Sequence, residues 1–584
     1  MKKLILSLFL MGTMAVPSNA IQPIPKIWAM SQSDGTKVNV RAHGEGHVAF
    51  FTTLDGKILV QNGGDNLYYA VMKDGKLVSS GILAHDADNR SAEEVAFLNE
   101  TRTETRLDEL ADFRINHTRK ANPRIIAAST TDGLGEYNKR SRGSVNSIGS
   151  TKVPVILVNF ADTKLQPTTT VEKMTRYYNE VNYKEETDCE GSTRDYFVAQ
   201  SRGKFDPNFV VLGPVTVPNS YRYYGKNDQN GNEPNVEFLV VDAVKEAMKQ
   251  GIDFKEFANS EGNVELITVL YAGKGEATEE PIAKYDDLVW PCQSDFEKDI
   301  DGVHFKSFFV GNELENNNEL MGMGVFCHEF GHALGLPDFY NTLGDDYYIG
   351  NPFGMWSIMD CGAYVKNTRS PIGYTAYERS YMGWLKIKEL TEAQTVTLSP
   401  AKDEDGDLAV VIRNPKNRNE YYILENRYPD TWYPESYYDS RGKVSFGNGL
   451  MVSHYAYDES AWKENFVNIR PNARRAHIIN ADDAALDFNA SKSNLYGDKV
   501  KEILAFKSIN RTNITDIPIY NIEVLEDGKI RFNYKDPNGA NGIEEINAET
   551  ANNADEAYYD LMGRKIEKPT RGIYIHKGKK VVVK

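Results

Sequence analysis

The 584 residues are too many for one hydrophobic core, and ordinary domain sizes put the chain at roughly three to four domains. Apolar residues make up 41% and aromatics 11%, the balance of folded rather than disordered protein, and 33 tyrosines point to extensive β-structure. A formal charge of −16 argues against a broad nucleic-acid-binding surface.

Lys2 and Lys3, the apolar run Leu4 to Val16 and the small residues Ser18-Asn19-Ala20 have the form of a secretory signal peptide cleaved after Ala20. No later segment is apolar and long enough to span a bilayer, so the expected mature protein is exported, either secreted or attached to the cell surface. Residues 21 to about 88 alternate apolar and polar positions between Asp34-Gly35, Asp55-Gly56 and Asp74-Gly75, which predicts a small β-rich domain. Ser91-Ala92-Glu93-Glu94 is a capping-box start for a helix reaching to about Lys120. Residues 121 to 150 read as a linker, with basic Lys139 to Ser144 exposed and open to proteolytic nicking.

From Lys152 the texture is α/β. Val153 to Phe160 reads as a buried strand, Val171 to Val181 and Ser192 to Gln200 as helices, and Val236 to Gln250 as an amphipathic helix closed by Gly251. Strands follow at Leu266 to Tyr271 and Val303 to Val310, then a helix from about Leu320 to Leu334 with Asn318 as cap, and another from about Ile372 to Met382. Lys388 to Lys535 returns to β-patterning. Asp536 to Gly542 is a linker, and Ala557 to Lys584 is a run of short strands with a basic end. The fold class is therefore multidomain α+β.

The chemistry concentrates in Cys327 to Asp338, which reads H-E-x-x-H-x-x-G-x-x-D. His328 and His332 are four apart, so a helix presents both imidazoles on one face, where they can hold Zn2+ with Glu329 placed to activate a metal-bound water. Gly335 can end the helix in a left-handed conformation, and the chain can then return Asp338 as third ligand. The metal set is His328, His332 and Asp338, and the catalytic residue is Glu329. Glu378 is the rival third ligand, with His304, His454 and His477 also available. Cys327 points away from the histidine face. The four cysteines, Cys189, Cys292, Cys327 and Cys361, allow three pairings.

His328 to Asp338, with Met359 in the place of a metzincin-like Met-turn, resembles the immune inhibitor A family of secreted zinc metallopeptidases. Val155 to Asp162, Asp195-Tyr196-Phe197, Pro371-Ile372-Gly373, Met382 to Leu385, Glu425-Asn426-Arg427 and Trp462 to Asn468 fit the same family. The family often has histidine after Trp-Pro, where this chain has Cys292 after Trp290-Pro291. The resemblance implies a zymogen of a zinc metalloendopeptidase acting on protein or peptide substrates. Its parts would be a signal peptide (1–20), a propeptide (21–145), a zincin-like α/β catalytic domain (146–387) with Met359 as a floor under the metal, and a β-rich C-terminal domain (388–536). It also implies a structural Ca2+, for which Asp345-Asp346 is a candidate. The propeptide contains no cysteine, so a propeptide thiolate on zinc is not available for latency. Residues 537–584 resemble a C-terminal sorting domain of type IX secretion, which implies outer-membrane secretion machinery as partner. The alternatives are a non-catalytic surface binding protein on a peptidase scaffold and a zinc amidase acting on cell-wall peptides.

Overall fold

The computed structural model describes the chain except residues 1–17, 21–26, 46–47, 62–65, 74–75, 101–110, 113–131, 228–232, 277–286, 316, 343–350, 404, 440–441, 484–485, 487–489, 539–542, 547–556, 562–563 and 577–578. The charged and apolar runs of the signal peptide, the Asp74-Gly75 turn and the Asp345-Asp346 calcium candidate lie outside the described residues. The chain divides into two compact units. One is Met1–Tyr374 with Glu378–Leu385 and Asp458–Arg474; the other is Thr375–Tyr377 with Lys386–Tyr457 and Arg475–Lys584.

The first unit begins with a six-stranded antiparallel meander: β1 (Trp28–Ser31), β2 (Lys37–Glu45), β3 (Val48–Thr53), β4 (Ile58–Gln61), β5 (Leu67–Lys73) and β6 (Lys76–Leu83). Its inward residues Trp28, Val38, Val40, Leu59, Leu67 and Tyr69 make one cluster. Helix α1 (Ala92–Glu100) follows. At its entry Glu94 accepts from the Ser91 N–H and also meets His85, whose other ring nitrogen meets Asp34 at 2.8 Å.

Burial opposes charge on His85, but the two carboxylates outweigh it and raise the imidazole above its ordinary 6.5. The His85 contact lowers Asp34 to about 2. Burial would raise Glu94, but the Ser91 N–H and His85 bring it down. The imidazolium's contribution to stability is thus fully present below pH 6.5 and lost as pH rises through the raised value. The carboxylates' contribution is lost as pH falls below their ordinary range. The clamp is tightest between these limits. His85→Gln is therefore expected to lower the thermal stability of the full chain more at about pH 5.5 than at about pH 8.5. Equal losses in melts at the two pH values would contradict this.

The rest of the unit is built on a mixed sheet. Strands β7 (Lys152–Asn159), β8 (Asn208–Thr216), β9 (Ile267–Lys274) and β11 (Val303–Leu314) are parallel, in the order β11-β9-β7-β8, and β10 (Cys292–Ile300) adds antiparallel to β11. Val153 to Val158 on β7 are fully buried, as expected of a central parallel strand covered on both faces. Helix α2 (Val171–Asn179) is capped by Thr170, and α3 (Thr193–Ser201) opens with a Ser192/Asp195 capping box. Helix α4 (Val236–Lys249) buries Leu239, Val240, Ala243, Val244 and Ala247, one face at helical spacing.

Helix α5 (Met323–Ala333) follows β11, and all eleven of its residues are buried. It starts three residues later than the sequence suggests, and Gly322, not Asn318, stands at its N-cap. Leu314 still pairs with Leu320 and the Met321 N–H donates to Glu313 O, so the strand's ladder claims those residues first. The downstream helix, α6 (Ala376–Tyr381), is likewise shorter than expected.

The stretch expected to be an exposed linker is only partly so. Lys139, Arg140 and Arg142 are exposed, but Ser141 is buried and donates to Leu334 O at 2.5 Å. The Val145 N–H donates to Ala333 O, and Ser147 bonds the Met382 carbonyl. The Ser141 and Val145 donors thus satisfy the Leu334 and Ala333 carbonyls at the C-terminal end of α5, where the helix no longer supplies a partner. A Cβ on Gly143 would stand 2.1 Å from Ala333 O, so only glycine allows this approach.

The second unit carries a five-stranded sheet, ordered β12 (Lys388–Glu389), β14 (Ala409–Asn414), β15 (Asn417–Arg427), β16 (Gly449–Ala456), β17 (Ala476–Ile478). A three-stranded sheet joins β13 (Gln394–Leu398), β19 (Ile530–Tyr534) and β18 (Ile519–Val524), and residues from both sheets share one core. The chain ends in another five-stranded sheet, of Ile543–Ile546, Lys579–Val583, Gly572–His576, Tyr558–Tyr559 and Lys565–Ile566, with Tyr558, Val581 and Val583 inside. Asp458–Arg474, which leaves from within the predicted C-terminal β-domain, clusters with the first unit.

Candidate metal centre

Helix α5 delivers His328 and His332 from one face, their rings 4.9 Å apart. The His328 Nδ1–H donates to Ile358 O at 2.6 Å, and the His332 Nδ1–H to Leu336 O at 2.8 Å. A carbonyl only accepts, so each Nδ1 carries the proton and each Nε2 presents a lone pair. Both Nε2 atoms face Asp338 Oδ1, at 3.1 and 3.2 Å. All three atoms are buried and none makes a hydrogen bond. Three converging acceptors with no donor between them call for a cation. The spacing suits one: ligands about 2.0–2.1 Å from a tetrahedral zinc lie about 3.3 Å from one another.

The sequence places Asp338 there through Gly335, which has φ +100° and follows α5 by two residues. The Leu336 N–H returns to Gly331 O, closing the helix with its chain reversed. Asp338 then sits fully buried. Burial alone would raise its pKa, but the facing histidines hold the carboxyl well below the usual carboxylate range. Burial would lower His332, but without an ion the facing Asp338 carboxylate pushes it up to about 9, so a metal ion would bind there in place of a proton.

Glu329 is also fully buried, and a carboxylate oxygen lies within 4.8 Å of nitrogens of both histidines. Its Oε2 accepts the Gln293 N–H of β10 at 2.9 Å. Met359 packs beneath the helix: a Cβ on Gly331 would meet its sulfur at 2.6 Å, so the glycine between the histidines makes room for it. The Met359 carbonyl receives the Phe339 N–H, tying this segment to the loop that carries Asp338.

Glu378 goes elsewhere. It is buried and accepts the Ser357 hydroxyl, whose oxygen in turn accepts the Met359 N–H at 3.1 Å. It therefore braces the methionine turn. His304 sits on β11 with Glu297 and Asp299, and His454 and His477 pair across β16 and β17 in the second unit. None of the four cysteines forms a disulfide, and all are buried. Burial pushes the Cys327 thiol up.

Residues 141–386 match the family of the immune inhibitor A peptidase M6 catalytic domain. That stretch, less than half of the chain, is similar to an immune inhibitor A M6 catalytic domain. It holds β7 to β11, α5 and every residue of the cluster. Immune inhibitor A of Bacillus thuringiensis subsp. alesti is 28% identical over 200 residues, 30% of this chain and 28% of that one. The pre-pro-metalloprotease PrtV of Vibrio cholerae serotype O1 is 21% identical over 268 residues, 39% of this chain and 29% of that one. The chain thus spans under a third of the length of each relative.

Sequence reasoning missed the partners that come from far along the chain. Asn465 bonds Asp338 twice: its Nδ2 donates to Oδ2 at 2.6 Å, and its Oδ1 accepts the Asp338 N–H at 2.7 Å. The stretch Trp462 to Asn468 stood out by resemblance, but nothing local tied it to a site 127 residues upstream. The backbone of Ser18–Ala20, expected to be the signal cleavage site, pairs antiparallel with Cys292–Ser294 on β10. Among the described residues no helix is long and apolar enough to cross a membrane.

Proposed function

We propose that the chain is a zinc metalloendopeptidase, exported and made as a precursor. The observation that carries this reading is the convergence of His328 Nε2, His332 Nε2 and Asp338 Oδ1, all buried and without hydrogen bonds, beside the Glu329 carboxylate. His328, His332 and Asp338 would hold the ion. When bound, zinc supplies a Lewis acid for the scissile carbonyl and lowers the pKa of a water.

The protein's own groups do the rest. Glu329 takes the proton of the attacking water on a carboxylate oxygen and passes it to the leaving amine nitrogen. The Gln293 N–H keeps that carboxylate turned toward the histidines. The Ile358 and Leu336 carbonyls fix both imidazole tautomers, so neither ring has to reorganise. The outer edge of β10 offers backbone groups to an extended peptide, and the Ser18–Ala20 pairing illustrates the register such a strand would take.

In this reading residues 21 onward form a propeptide whose end lies before residue 141, because Ser141 and Val145 hold the end of α5. The name of the Vibrio relative, a pre-pro-metalloprotease, supports the precursor reading. The terminal sheet of residues 543–583 would serve as the sorting domain.

Hydrolysis of casein by the processed protein should disappear with a zinc chelator and return with added zinc. A zinc-loaded, processed protein that leaves casein and gelatin intact would refute the proposal. Activity confined to cell-wall peptides would point to the amidase instead.

A further inference from the structure

We infer that Asn465 is a positioning residue for the third metal ligand, so that the metal site is completed by a loop from within the C-terminal β-region. The inference rests on the reading that His328, His332 and Asp338 hold a metal ion.

A carboxylate with two free oxygens can rotate and offer either one. Here Asn465 takes Oδ2 at 2.6 Å and leaves only Oδ1, the oxygen that faces both histidine Nε2 atoms. The same amide takes the Asp338 N–H through its Oδ1, so main chain and side chain of the ligand are gripped by one planar group. Neither bond can form with a shorter or differently shaped side chain in the same place. Outer-shell partners of this kind orient a ligand and raise its affinity for metal.

The loop is built to present that amide. Asp458 caps a short helix, α7 (Glu459–Lys463), and the Phe466 N–H returns to Ala461 O at 2.7 Å. Asn465 itself stands at φ +57°, a left-handed conformation that asparagine tolerates better than most residues. Thr342 Oγ1 donates to the Asn465 carbonyl, and Asn468 Nδ2 donates to Phe339 O at 2.6 Å. Two asparagines of one loop therefore hold two consecutive residues, 338 and 339. The loop's outer side packs against the N-terminal region, where Phe466 and Ile469 meet Ala111 and Arg470 pairs with Asp112. All of these groups belong to the same compact unit.

The test compares zinc binding by the full chain with that of Asn465→Gly and Asn468→Ala. Glycine accepts the positive φ, so the first variant removes the amide without straining the loop. The second removes a separate hold of the loop, the one on the Phe339 carbonyl. Zinc affinity is measured by competition with a chromophoric chelator, the Co2+ form by visible absorption, and the metal-free fold by thermal unfolding. Asn465→Gly is expected to bind zinc about 10–100-fold more weakly, with an altered Co2+ spectrum and a retained metal-free fold, while Asn468→Ala loses much less. Unchanged affinity and spectrum in Asn465→Gly would overturn the assignment. Equal losses in both variants, or collapse of the metal-free fold in Asn465→Gly, would assign the residue to the scaffold and also overturn it. A wild-type chain that takes up no zinc, or a His332→Ala variant that binds it like wild type, would instead refute the metal site, and the assignment would fall with it.

Discussion

Glu329→Gln is expected to abolish measurable proteolysis while leaving zinc binding close to wild type. The amide keeps the size of the carboxylate and can still accept the Gln293 N–H, so the buried site has no reason to rearrange. What it cannot do is take a proton from water at neutral pH and give it to an amine. Loss of one general acid–base group costs about 10²–10⁴ in rate, or about 3–5 kcal/mol of transition-state stabilisation. The pair of measurements is decisive because Glu329 also lies within 4.8 Å of the histidine nitrogens. A variant that loses zinc along with activity would make Glu329 a ligand and not the base. A variant that still cleaves casein at near wild-type rates would remove it from the mechanism.

Much of this centre was legible in the sequence because its main parts are local. Two histidines four apart, a glycine three further on and an aspartate three beyond it define a helix, its end and its return, and the structure brings all three ligand candidates together. The parallel strands were legible for a similar reason: runs such as Val153 to Val158 are apolar without alternation, as strands covered on both faces must be. The element limits were less so. Leu320 to Gly322 look helical by pattern, but they stay with the end of β11 because its ladder extends to Leu314.

The residues that escaped are those whose partners lie far off in sequence. Ser141 looked like part of a basic, exposed loop because its neighbours Lys139, Arg140 and Arg142 are basic, and nothing in its vicinity indicates that it binds Leu334, 193 residues away. The cue was present in a weaker form: Gly143 and Gly335 are both glycines, and a Cβ on either would crowd the backbone of the other's segment. Asn465 had no such cue at all. It sits in a loop between β-strands, and only the fold shows that the loop turns back to Asp338.

The remaining large effect separates the two carboxylates that competed for the third ligand position. Asp338→Ala is expected to weaken zinc binding by more than the roughly 10–100-fold that loss of an outer partner costs, and to remove activity with it. Its Oδ1 is one of three converging atoms, and alanine would leave two neutral imidazoles and an unpaired Asn465 amide in a buried space. Glu378→Gln should behave differently. Glu378 accepts the Ser357 hydroxyl, and that oxygen accepts the Met359 N–H, so its contribution reaches the centre only through the methionine turn. Glutamine can still accept from Ser357. The variant should therefore keep zinc affinity within about tenfold of wild type, and any loss should appear mainly in thermal stability. Zinc content of the two purified variants after dialysis against a buffered metal supply gives the answer directly. Zinc retained by Asp338→Ala and lost from Glu378→Gln would reverse the assignment. The buried Asp338–Asn465 pair would then need another reason to exist.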